Sequence, residues 1–246
     1  MKKIFLPTLT SMIFCLSVHS QNEEKQGDLY ITEGDYASAA IMYYKGIENN
    51  DSCLIKYFNL VINEEIAHEV SNHLYTLLHP KAQQGNTNAQ FYLGYMYFYG
   101  YGIKRDILKA EEWLLKSAEK EDSFAQVYLG FIYYFSYNNY PQAFEYFQKS
   151  AKNENALGQE YLGYMYENGD GVKQSHTEAL KWFLKSAEQG NTESQYKVGE
   201  MYNYGYGVEK NKDIAIEWYK KAAIHGNHSF AVIKLELLGI DISEKQ

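Results

Sequence analysis

Three kinds of stretch bring together residues that could do chemistry. A Gly-x-Gly loop occurs in YFYGYGIKRD (97–106), YENGDGVKQS (166–175) and YNYGYGVEKN (202–211). Such a loop opening onto a helix can hold a phosphate, because glycines let backbone N–H groups close on the anion beside the positive end of the helix dipole. HEVSNH (68–73) approaches the His-Glu-x-x-His of a zinc protease, and Glu65 with His68 gives one Glu-x-x-His. SAEK (117–120) and SQYK (194–197) fit Ser-x-x-Lys, the pattern of serine enzymes acylated by β-lactams.

None of these assembles a complete set. A Walker loop needs Gly-Lys-Ser/Thr after its spacer, and a dinucleotide fingerprint needs a third glycine and a preceding strand. Here position 105 is Arg, and the residues before the loop have helical periodicity. The second histidine of HEVSNH is five residues on instead of four, about 140° round a helix from His68, so the pair cannot grip one ion from one face. A di-iron bundle needs two Glu-x-x-His motifs. No Lys-Thr-Gly or Ser-Asp-Asn accompanies the Ser-x-x-Lys stretches. The sequence therefore predicts no catalytic residue, no metal and no cofactor.

What positions these stretches is an internal repeat. AQFYLGYMYFYGYG (89–102), AQVYLGFIYYFSY (125–137), GQEYLGYMYENGDG (158–171) and SQYKVGEMYNYGYG (194–207) align on Gly94, Gly130, Gly163 and Gly199, spaced by 36, 33 and 36 residues. The downstream halves align too: KAEEWLLKSAEKE (109–121), QAFEYFQKSAKNE (142–154), EALKWFLKSAEQG (178–190) and IAIEWYKKAAIHG (214–226). Ala89, Leu93, Met96 and Tyr97 form an apolar stripe at helical period, as do Ala110, Trp113, Leu114 and Ala118. Small residues at Gly94 and Ala118 allow close approach of the paired helices. Gly-Asn at 85–86, 190–191 and 226–227 predicts a left-handed stop followed by an N-cap. One helix pair cannot bury its own apolar face, whereas stacked pairs can, so the expected fold is an all-α solenoid of antiparallel helix pairs. Within it, Gly100 ends a helix, Gly102 permits a tight reversal, and Ile103, Val172 and Val208 anchor the turn.

These residues closely resemble the Sel-one-like repeat of the tetratricopeptide superfamily, in four copies at 86–121, 122–154, 155–190 and 191–226. The second copy is trimmed: FSYNNYP (135–141) replaces the glycine loop, and Tyr146 stands where the others have Trp113, Trp182 and Trp218. The resemblance implies a right-handed superhelix whose first helices line a concave wall, and a non-catalytic protein-interaction scaffold. It also supplies an alternative, a weak penicillin-binding or β-lactamase-like enzyme, as suggested for secreted cysteine-rich relatives. The cysteine pairs of those relatives are absent. Residues 21–85 read as degenerate helices of the same kind, with Pro80 predicting a kink or early stop. Residues 227–246 read as a capping helix and a fraying tail.

Residues 1–20 read as a signal peptide, with a basic start, an apolar run and small residues before Gln21. Their removal takes two lysines from 23 basic residues, leaving 21 against 31 acidic, a net charge of about −10. That surface repels nucleic acid and anionic lipid. Only Cys53 remains after cleavage, so no internal disulfide forms. The chain is expected to be exported, periplasmic or secreted, and monomeric, with no membrane insertion after cleavage.

A second stripe on the first helices, at i, i+3 and i+7, varies between copies: Tyr92-Tyr95-Tyr99, Tyr128-Phe131-Phe135, Tyr161-Tyr164-Asn168 and Lys197-Glu200-Tyr204. Aromatic side chains offer large contact area at low entropic cost. The stripe is the expected binding face for a peptide or protein, unless its rings merely pack neighbouring helices.

Overall fold

The computed structural model describes residues 25, 28, 56, 68–226 and 228–240; the signal-peptide reading, Glu65, Cys53 and the side chains of His68 and His73 lie outside what it describes. Among the described residues the chain is all-α, ten α-helices and one π-helical turn. They are α1 (His68–Gln83), α2 (Thr87–Tyr99), α3 (Ile107–Ala118), α4 (Ser123–Phe131), the π turn Ile132–Ser136, α5 (Tyr140–Lys152), α6 (Ala156–Asn168), α7 (His176–Glu188), α8 (Thr192–Tyr204), α9 (Lys212–Gly226) and α10 (Ser229–Leu237). The chain divides into two compact units, Met1–Ala110 and Glu111–Gln246. In the first, α1 packs on α2. In the second, each helix from α4 to α10 packs on the next, and α4 also touches α6. Helices that meet chiefly their neighbours in sequence make an α-solenoid.

The helix ends follow from side-chain chemistry. Asn86, Asp122, Asn155 and Asn191 each accept a hydrogen bond from a backbone N–H three residues on, at 2.8 to 3.1 Å, satisfying a donor the helix leaves unpaired. Asp106, Asn139, Ser175 and Asn211 do the same for the second helix of each pair. The last helix takes its cap from His228, whose Nδ1 accepts from the Ala231 N–H.

Gly85 and Gly190 precede their caps at φ 88° and 92°. Between copies, however, the same left-handed stop is made by Glu121 at φ 63° and Glu154 at φ 58°. A residue with a Cβ costs about 1–2 kcal/mol there. Glu121→Gly and Glu154→Gly are each expected to raise the free energy of unfolding by about 1 kcal/mol in a urea titration. An unchanged value would mean that the glutamate side chains compensate.

The core repeats one contact. A Cβ on Gly130 would fall 2.5 Å from the Phe147 ring, on Gly163 2.8 Å from Phe183, and on Gly199 2.6 Å from Tyr219. The first-helix glycine is thus the seat of a fully buried aromatic from the second helix. The tryptophan position beside it does something else. Trp113, Tyr146, Trp182 and Trp218 each lie under the ammonium of the lysine three residues on, at 4.1, 5.3, 4.8 and 3.8 Å from the ring centre. Buried glutamines close the seam between copies: Gln90, Gln159 and Gln195 donate to the carbonyls of Ala82, Ala151 and Ala187.

Two local expectations change. The expected early stop at Pro80 does not occur; α1 runs on to Gln83, because a proline near a C-terminus removes a single hydrogen bond. The second glycine of the last two complete loops does more than allow a reversal. Gly171 (φ 67°) lies against the Tyr140 carbonyl and Gly207 (φ 68°) against that of His176, so the loop of one copy seats on the start of the second helix of the copy before. The trimmed copy lacks that loop. In its place the π turn and the residue after it send the hydroxyls of Tyr133 and Tyr137 to the two oxygens of Glu111, at 2.5 and 2.8 Å, and that of Tyr134 to Asp170 at 2.7 Å. Burial and these carboxylates push the Tyr134 and Tyr137 hydroxyls up to about 12.

Candidate interaction face

In the first unit, Tyr92 is 8% exposed and belongs to the core. Tyr95 is half-buried and Tyr99 is 47% exposed. Tyr95, Tyr99 and Tyr101 form a closed ring cluster, with centroids 4.7, 5.9 and 5.4 Å apart. Tyr101 lies just past the turn glycine and was not part of the expected stripe.

In the second unit the stripe divides. Phe131, 9% exposed, packs between Tyr161 at 4.6 Å, Tyr128 at 5.5 Å and Phe147 at 5.6 Å. Tyr161 stacks on Phe147 at 5.2 Å, and Tyr164 meets Phe183 edge-on at 5.1 Å. Tyr161 thus joins its copy to the one before, whereas Tyr164 and Phe183 meet within one copy. Phe135, Tyr137, Tyr204 and Tyr206 are the exposed aromatics at the ends of the first helices, and Asn168 holds the corresponding place in the third copy.

The polar end of the stripe is tied into ladders between α6, α8 and α10. The Tyr164 hydroxyl donates to Glu193 at 2.8 Å, and Glu193 meets His228 Nε2 at 2.9 Å. Lys197 pairs with Glu167 at 2.9 Å and lies over the Tyr164 ring. Glu200 accepts from the Tyr219 hydroxyl and pairs with Lys234 at 3.1 Å, while Lys234 also reaches the Tyr204 hydroxyl at 3.0 Å. Burial and the facing glutamates push the Tyr164 and Tyr219 hydroxyls well above their ordinary range. Glu160 is buried, with the Asn191 amide donating to it at 2.6 Å. Burial raises its carboxyl to about 7, opposed by that donor and reinforced by the charge of Glu193.

The Ser-x-x-Lys serines are enclosed. Ser117 is fully buried and donates to Asp122 at 2.8 Å, and Ser194 is fully buried and donates to Ser186 at 2.9 Å. Lys197 is turned to Glu167. Among the described residues no group of three or more His, Cys, Asp or Glu could hold a metal, and no helix is long and apolar enough to cross a membrane.

The Sel1 repeat model matches residues 87–122, 123–155, 156–191 and 192–227, more than half of the chain. The chain belongs to the Sel1 repeat family. Sel1 repeats in general serve as protein-interaction scaffolds. A Sel1 repeat protein from Oxalobacter formigenes superposes with a TM-score of 0.72 at 25% identity, over 86% of this chain and 87% of that one. A protective antigen present in uropathogenic Escherichia coli strains, displaying an SLR fold, gives a TM-score of 0.66 at 28% identity over 86% of this chain. The chain spans about half the length of that antigen, 47%. No protein of curated function matches the sequence.

Within this Sel1 chain, sequence reasoning missed Tyr101, Tyr137 and Tyr206, although the Tyr-Gly-Tyr of 99–101 and 204–206 carried the signal. An aromatic on each side of a left-handed glycine lies on a turn that helix packing cannot cover.

Proposed function

We propose that this Sel1-repeat chain is a non-catalytic, exported scaffold that binds a peptide or protein segment, as a monomer, through aromatics exposed on the first helices of each unit. The observation that carries the reading is the recurrence of exposed aromatics at one position, Tyr99 in the first unit and Phe135 and Tyr204 in the second. The fold has no need of them there, since the third copy puts Asn168 at that place. Exposed rings held by their neighbours present contact area that costs little entropy on binding. The acidic chain favours protein over nucleic acid as partner.

The contact residues are Tyr95, Tyr99, Phe135 and Tyr204, flanked by Tyr101, Tyr137 and Tyr206. Phe131, Tyr161, Tyr164, Lys197 and Glu200 support these contacts by joining copies, and Tyr92 and Tyr128 by packing within their own. The tagged chain lacking residues 1–20 should retain a specific partner from its own host. The triple variant Y99A/F135A/Y204A should lose that partner while its helical thermal melt is unchanged. Retention of the partner by the variant would sink the reading. Turnover of a chromogenic β-lactam by the wild type, lost in Ser117→Ala, would instead restore the enzyme.

A further inference from the structure

A cavity in the first unit is cationic in a chain of net charge −8. It encloses about 340 Å³ between Tyr75 of α1, Tyr97 of α2 and the loop carrying Lys104, Arg105 and Asp106, with Lys109 at its rim. That is the size of a small ligand site, for which about 300–1,000 Å³ is usual.

The three cations are not required by the repeat. Arg105 Nε donates to the Phe98 carbonyl at 3.0 Å, and at the same place in the third copy Gln174 Nε2 donates to the Glu167 carbonyl at 2.8 Å. An uncharged amide therefore does the structural work, leaving the two terminal nitrogens of Arg105 without a partner among the described residues. Position 104 is Lys, Lys and Glu in the three complete loops, and position 109 is Lys, Glu and Ile. Glu178, the third-copy equivalent of Lys109, pairs with Lys181, whereas Lys109 has no carboxylate partner among the described residues. Its ammonium lies 5.3 Å from the centre of the Tyr97 ring. The Asp106 carboxylate accepts the Lys109 backbone N–H as the cap of α3. Two tyrosines, whose hydroxyls meet at 3.4 Å, form the wall.

A fork of free N–H donors beside two ammonium groups fits the oxygens of a carboxylate, and a partly enclosed site screens that attraction less than open water does. The rest of the chain repels acidic ligands, so the cavity is where they collect. We propose that this cavity anchors a carboxylate of an acidic peptide partner, with Arg105, Lys104 and Lys109 taking its oxygens and Tyr75 and Tyr97 its hydrocarbon stem. It rests on the scaffold reading only in making the ligand a peptide.

The test is calorimetric titration of hexaglutamate into the full chain. Binding is expected at low salt and weakens as salt is raised. Arg105→Gln, which keeps the bond seen for Gln174, and Lys109→Gln should each weaken it about tenfold, the loss expected for one hydrogen bond to a charged group. Lys173→Gln and Lys210→Gln, which remove cations from the other two loops, should change nothing. C-terminally amidated hexaglutamate and free hexaglutamine separate a side-chain carboxylate from a chain terminus; binding of either through Arg105 supports the anchor. Binding of neither, equal losses in Lys210→Gln and Arg105→Gln, or binding of inorganic phosphate alone overturns it. Y99A/F135A/Y204A should still bind hexaglutamate, so failure of the aromatic face and failure of the cationic anchor are read separately.

Discussion

Gly171→Ala is expected to destabilise the second unit by about 3 kcal/mol, while Gly190→Ala, at a residue equally left-handed, costs about 1–2 kcal/mol. Both glycines have positive φ, 67° and 92°, so both substitutions carry the strain of a Cβ in that region. They differ in what the Cβ meets. At Gly190 there is nothing within 4 Å; at Gly171 the carbonyl carbon and oxygen of Tyr140 lie at 2.5 Å. Backbone cannot rotate away as a side chain can, so the first turn of α5 or the whole loop must shift. Gly207→Ala should behave like Gly171→Ala, since its Cβ would fall 2.4 Å from the His176 carbonyl carbon. Urea unfolding of the three variants decides the matter. Equal losses at Gly171 and Gly190 would show that seating the loop on the preceding copy contributes nothing. The shift would reach a proposed contact residue, because Asp170, the residue before this glycine, holds the Tyr134 hydroxyl beside exposed Phe135.

The second large effect is a pH dependence that reverses the usual acid instability of proteins. The Glu160 carboxyl rises from 4.5 in the unfolded chain to about 7 in the fold. The folded state therefore holds its proton more tightly, and Glu160 disfavours folding once it must ionise. Its contribution is most favourable below about pH 4.5 and is lost as the pH rises through 7, amounting to about 3 kcal/mol. Glu160→Gln should be more stable than the wild type by about that amount at pH 8 and nearly equal to it at pH 4.5. The difference between the two chains, measured by urea unfolding across this range, cancels the groups they share. A constant difference from pH 4.5 to 8 would show that Glu160 ionises normally. The partner amide of Asn191 can still donate to the glutamine oxygen, so the substitution keeps the contact seen at 2.6 Å.

The repeat was legible because its determinants are local. Helical period, a capping side chain and a turn glycine act within a few residues, and their recurrence around Gly94, Gly130, Gly163 and Gly199 fixed the fold class. The left-handed stops at Glu121 and Glu154 were hidden, since glutamate gives no sign of positive φ. The stripe was harder still. Tyr92, Tyr99, Phe131 and Phe135 are all aromatics of the one expected stripe, yet two are buried and two exposed. Which ring is core depends on what the neighbouring copy places against it.

By itself the sequence determined an all-α solenoid of paired helices and an acidic chain, and it offered an aromatic stripe on the first helices as a candidate. Only the tertiary structure decided which aromatics remain open, that Lys197 and Glu200 are bound into ladders between copies, and that Lys104, Arg105 and Lys109 share a cavity with two tyrosines. The physical reason is range. Helix formation is settled over one or two turns, whereas exposure and ion pairing are settled between residues about thirty positions apart in the chain, one repeat length, where periodicity no longer specifies contact.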